Sequence, residues 1–150
     1  MTVWTPDSTG RNSSPGRGFL EMVLGETMSG DQAFERIEAG LETRILDNLF
    51  GLVADARPAL LQVLRLSERT LARRRSEGRL TPEESDRLYR TIELYARAAD
   101  VLQSIDAASE WMSSPALALG DRTPLAYAQN EVGARRVAAL LTRIEHGVFS

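Results

Sequence analysis

The chain has 150 residues, 43% hydrophobic and 26% charged, with a net charge of −3 at neutral pH, so it has one domain's length and enough apolar content to hold a core without staples. No cysteine and a single histidine, His146, exclude disulfides, thiolate metal sites and a cysteine nucleophile, and leave Ser–His or multi-histidine chemistry almost nothing to work with. No apolar run approaches the ~18 residues of a membrane helix, and the first thirty residues lack a signal-type apolar stretch, so a cytoplasmic protein without membrane association is expected.

Residues 1–18 are rich in Gly, Ser, Thr, Pro and Asn, a composition that cannot repay chain entropy and predicts a flexible tail. From residue 31 the pattern is helical. Phe34, Ile37 and Leu41 recur at helical spacing, and Ile45, Leu46, Leu49 and Phe50 continue a buried stripe. Pro58 opens a further helix, where its missing N–H costs nothing, with Leu60, Leu61 and Leu64 inward. Ser67 reads as an N-cap, Leu66 and Leu71 as its hydrophobic staple, and Gly78 as the stop of a helix over about 68–77.

Thr81-Pro82-Glu83-Glu84 is a capping box with proline at N1. It starts a long helix over about 83–103, with Leu88, Ile92, Tyr95, Ala99 and Leu102 along its buried seam and a Glu93–Arg97 pair outside. A short helix around 106–113 carries Trp111 and Met112, and Thr123-Pro124 restarts a turn of helix. A last helix follows Asn130, with Val137, Leu140, Leu141 and Ile144 inward and Gly147 as its stop. No segment alternates as a strand does. The fold class predicted is all-α.

Charge is unevenly spread. All 18 basic residues are arginine, and residues 57–79 hold seven of them against two glutamates, between flanks of net −6 (20–56) and −5 (80–121). Such a chain does not coat nucleic acid indiscriminately but can present a local phosphate-binding element. Residues 57–79 have the spacing of a helix-turn-helix, without its usual turn glycine. On the second helix Arg69 and Arg73 share a face, Thr70 and Arg74 the adjacent one, and Arg75 lies toward Leu71, where it reaches a phosphate or an acid of this chain. Ser67, Arg69, Thr70, Arg73, Arg74 and Arg75 are the candidate DNA-binding residues, because a guanidinium can hold guanine O6 and N7 with two hydrogen bonds. A solvated or salt-bridged face is the competing reading. Signs of catalysis are missing: Glu83 and Glu84 sit where a helix N-terminus favours acids, no glycine loop cradles phosphate, and His146 suits a helix C-terminus. No catalytic residue, metal site or cofactor is expected.

The run Leu66-Ser67-Glu68-Arg69-Thr70-Leu71-Ala72-Arg73-Arg74, with Gly78-Arg79-Leu80 and Glu84-Ser85-Asp86-Arg87-Leu88, resembles the Xre/MbcA/ParS antitoxins. So do Trp111-Met112, Pro115, Ala118-Leu119-Gly120, Arg122-Thr123-Pro124-Leu125, Glu131-Val132-Gly133-Ala134 and Arg143-Ile144-Glu145-His146-Gly147. The resemblance spans about 45–150; Leu117 stands where the family often has proline and Asp121 where it often has a second glycine. It implies an antitoxin of a type II toxin–antitoxin pair that represses its own promoter and neutralises a RES-like NAD-degrading or related ADP-ribosyl-transferring toxin, without a cofactor. The organisation expected is a flexible tail over 1–18, helices with the helix-turn-helix and a long linking helix over 19–103, and a toxin-binding domain over 104–150.

A homodimer is expected because one short helix reads few base pairs, with Phe19, Leu20, Met22, Val23 and Leu24 open to either self-association or core packing. The end of the chain offers a candidate toxin contact in Arg143, His146, Val148 and Phe149; the Val-Phe pair can instead fold back on the last helix. Two rival readings remain: a helix-turn-helix regulator without a toxin, and an interaction protein that no longer reads DNA.

Overall fold

The computed structural model describes residues 14–147. They form nine α-helices: α1 (Pro15–Leu24), α2 (Gly30–Ala39), α3 (Thr43–Leu52), α4 (Arg57–Leu64), α5 (Glu68–Glu77), α6 (Pro82–Leu102), α7 (Ile105–Met112), α8 (Pro124–Tyr127) and α9 (Glu131–Glu145). Among the described residues extended pairing is limited to two isolated bridges, Glu42 with Arg79 and Ala116 with Arg122. The fold is all-α, a helix-turn-helix followed by a smaller helical module.

The axis of the molecule is α6, against which α1, α2, α4, α7 and α9 pack. Its start follows the capping box, with the Thr81 hydroxyl accepting from the Glu84 amide at 3.1 Å and the Glu84 carboxylate from the Thr81 amide at 2.9 Å. Leu88, Ile92, Tyr95 and Ala99 are buried along its seam; each large side chain of this kind contributes about 1.5–3 kcal/mol. Buried residues from Phe19 to Leu141 form one continuous cluster, so the N-terminal helices and the C-terminal module share a core.

The structure corrects the expected tail. Residues 1–13 lie outside the described residues, but Ser14 caps α1 and residues 15–18 are helix. The glycines there are packing residues rather than signs of disorder. The Gly16 amide donates to Asp100 Oδ1 at 2.8 Å, and a Cβ at Gly16 would run into the Ala96 carbonyl oxygen and lie 2.6 Å from Asp100 Cγ. Bare backbone lets α1 lie on α6, where Phe19 stacks on Tyr95 with ring centroids 5.7 Å apart. Phe19, Val23 and Leu24 are fully buried in the core, and Leu20 and Met22 partly so. Of the two roles open to this segment, the structure gives it core packing.

Two further expectations change. Phe34 is periodic but 66% exposed, because α2 turns only Ala33 fully inward. Arg97 does not pair with Glu93; it reaches across to α9, donating to both Glu145 carboxylate oxygens at 3.2 Å and to the Thr142 hydroxyl at 3.2 Å.

Gly16→Ala is expected to cost about 1–3 kcal/mol of stability through overpacking against α6. Gly30→Ala, whose added Cβ meets no atom within 4 Å, should be neutral or slightly stabilising; urea unfolding of both variants compares them.

Candidate nucleic-acid interface

The turn between α4 and α5 is built without glycine. Arg65 takes the left-handed conformation itself, with φ 56° and ψ 43°, and the Leu66 amide bonds back to the Leu61 carbonyl at 2.9 Å, which closes α4 as a left-handed cap does. Leu66 is buried next, and Ser67 caps α5 by accepting from the Thr70 amide at 3.0 Å. Gly78, at φ 86°, ends the helix where expected.

On α5 only Leu71 is buried; the other ties are ionic. Arg74 donates through Nε to Glu84 Oε1 at 2.7 Å and through a terminal nitrogen to Oε2 at 3.1 Å, with the two side chains only 13% and 9% exposed. Burial alone would raise the Glu84 pKa, but the Arg74 hydrogen bonds and the Thr81 amide hold it below the ordinary carboxylate value. Arg75 donates to Asp47 on α3 at 2.7 Å. Arg57, stacked 4.6 Å over the Phe50 ring, holds Glu68 at 2.9 and 3.1 Å, which occupies the one acid in the first turn of α5.

The six candidate DNA-binding residues are thereby sorted. Arg69 has no carboxylate within ion-pair distance among the described residues, and Arg73 has only Glu77 at 3.8 Å, both of them exposed; so weak a surface pair holds little. Ser67 and Thr70 are engaged with each other, hydroxyl to hydroxyl at 3.0 Å. Arg74, expected among the DNA-binding residues on the face adjacent to Arg69 and Arg73, instead faces α6 and pairs with Glu84. Arg75 takes the intramolecular acid. Sequence reasoning missed Arg57, whose partner lies eleven residues on, and Arg65, exposed in the turn. The missing turn glycine was the signal for Arg65.

At the other end, α9 finishes at Glu145 with His146 as its C-cap. His146 is 66% exposed, 4.0 Å from the Glu145 carboxylate, and Arg143 is also exposed. Val148 and Phe149 lie outside the described residues. The loop before α8 explains one family departure: Asp121 occupies the left-handed region at φ 64°, directly after Gly120 at φ 66°, a conformation that favours glycine.

Comparison with known proteins matches residues 32–92 to the antitoxin Xre-like helix-turn-helix domain and residues 97–147 to the antitoxin Xre/MbcA/ParS C-terminal toxin-binding domain. A protein of Yersinia enterocolitica named Antitoxin Xre is 34% identical over 123 residues, covering 81% of this chain and 83% of its own. One of the same name from Photorhabdus laumondii is 32% identical over 124 residues, covering 81% and 84%.

Because the folded-state pKa of Glu84 is depressed, its contribution is present above the ordinary value of 4.5 and is lost as pH falls through the lower folded value. Glu84→Gln keeps a capping oxygen but loses the charged hydrogen bonds, so it should cost about 1.5–3 kcal/mol at pH 7. The gap to the wild type should close on acidification below the ordinary value of 4.5, as read by chemical denaturation at a series of pH values.

Proposed function

We propose, for a chain that belongs to the Xre/MbcA/ParS antitoxin family, that it binds its own promoter through α5 and neutralises a RES-like, NAD-degrading toxin through the module after α6. The family carries the coarse assignment: an antitoxin with a helix-turn-helix and a toxin-binding domain, a role exercised by binding rather than by catalysis. The finer reading is ours. It includes autorepression, a homodimer on a palindromic operator, and action in the cytoplasm; no helix among the described residues is long and apolar enough to cross a membrane.

The observation that carries the DNA reading is the division of labour on α5. Leu71, Arg74 and Arg75 attach the helix to the protein, while Arg69 and Arg73, four residues apart, face outward near its N-terminal half, the part of such a helix that meets base edges. Arg57 supports the same use by neutralising Glu68, which would otherwise face phosphate. Arg65 adds a cation in the turn. The toxin reading rests on the family domain over residues 97–147 and on the exposed Arg143 and His146 at the end of α9, with Val148 and Phe149 following in the sequence. Basic and apolar residues together suit a pocket built for an anionic dinucleotide.

Arg69→Ala and Arg73→Ala should each cost about 1–3 kcal/mol on the DNA upstream of the gene and relax its sequence preference, with helical content unchanged by circular dichroism. Unaltered affinity of the double variant would sink the assignment. Deleting residues 146–150 should weaken rescue of cells expressing the toxin encoded beside this gene, with affinity for the upstream DNA intact. Full rescue would move the toxin contact elsewhere in the C-terminal module.

A further inference from the structure

The chain has an acidic surplus, and many of its arginines are neutralised within the protein: Arg36 by Glu26, Arg57 by Glu68, Arg74 by Glu84, Arg75 by Asp47, Arg90 by Asp86 and Arg97 by Glu145. Arg122 and Arg136 are exposed and have no carboxylate within ion-pair distance among the described residues; both instead lie over one aromatic ring, with guanidinium carbons 5.9 and 5.6 Å from the Tyr127 centroid. An acidic protein that leaves two guanidinia together without a counter-ion of its own has a local site for an external anion.

The cluster is built rather than incidental. Arg122 is fixed by the tight loop in which its carbonyl accepts from the Ala116 amide at 3.0 Å. Gly133, in the first turn of α9, lies directly against Tyr127, since a Cβ there would collide with the Tyr127 carbonyl oxygen; that approach sets Arg136 three residues later over the ring. Stacking on the ring limits the freedom of both side chains before any ligand arrives, which lowers the ordering cost of binding. Glu131, the acid of the same helical turn, lines a groove on α6 with Asp86, Tyr89, Arg90 and Glu93 instead.

What identifies the anion is the neighbour. The cluster is carried by α8, the start of α9 and the loop before them, and α8 packs against α4, the first helix of the helix-turn-helix, which in this motif crosses the sugar–phosphate backbone. We propose that Arg122 and Arg136, ordered by Tyr127, form a second, sequence-independent phosphate-binding point that holds the DNA backbone beside the helix-turn-helix. The inference rests on the DNA reading of α5. It makes the toxin-binding module part of the DNA interface, so a toxin seated over Tyr127 would compete with DNA for the same guanidinia.

The experiment titrates full-length protein with a duplex from upstream of the gene and with a duplex of unrelated sequence across a salt series. Arg122→Ala/Arg136→Ala should flatten the slope of log K against log salt by about two units per bound protomer on both duplexes, at roughly 0.9 for each phosphate no longer neutralised. Arg122→Lys/Arg136→Lys should retain most of the slope, and the melting temperatures of both variants should stay within a few degrees of wild type. An unchanged slope in the alanine variant, while Arg69→Ala/Arg73→Ala still loses the upstream duplex, overturns this inference and leaves the reading of α5 standing. Intact DNA binding without copurification of the adjacent toxin overturns it and assigns the cluster to that protein. Equal flattening in the lysine variant with a lowered melting temperature reduces the cluster to a structural stack.

Discussion

A single carboxylate, that of Glu84, joins α5 to the start of α6. One of its oxygens closes the capping box that starts α6, and both accept from Arg74 on α5. The orientation of α5 is therefore referred to the longest helix of the molecule rather than to a loop. Without that pair, α5 would be attached by one buried leucine and the two more exposed pairs, Arg75–Asp47 and Arg57–Glu68. A buried pair of this kind adds little net stability over an apolar contact, but breaking it strands a charge. Its value here is geometric: it decides which arginines of α5 turn inward and which stay outside.

The same competition for carboxylates shapes the whole surface. With no lysine and an excess of acids, every basic side chain that is always charged is a planar fork suited to carboxylate, phosphate or an aromatic face. Those held by acids build the fold, as Arg97 does between α6 and α9. Among those that no acid holds in the described residues are Arg65 and Arg69 near the turn and Arg122 and Arg136 over Tyr127, the positions we propose for contact with other molecules. Net charge alone, at −3, hides both places.

Much of the local architecture was legible because caps are local chemistry. Ser67, Thr81-Pro82-Glu84, Asn130 and Gly78 each act within a few residues of themselves, and each does in the structure what its position predicts. The failures are long-range. The partner of Arg74 lies across a helix boundary, so no helical wheel of α5 reveals that it faces inward. Gly16 and Gly18 read as disorder by composition, although Gly16 lets α1 touch α6, eighty-four residues away in sequence. Phe34 obeyed the period but not the burial, since periodicity gives a face and not what covers it. Arg65 shows the reverse case: the turn has its left-handed geometry without the glycine that usually supplies it. Of the candidate toxin contact, Val148 and Phe149 lie outside the described residues.

The sorting of the arginines can be observed directly by following the arginine Nε–Hε resonances of the full-length protein as the upstream duplex is added. The account predicts that the Arg69 and Arg73 signals shift or broaden with DNA, while that of Arg74, whose Nε is 2.7 Å from Glu84, keeps its position and its protection from solvent. A perturbed Arg74 signal with Arg69 and Arg73 unmoved would contradict it.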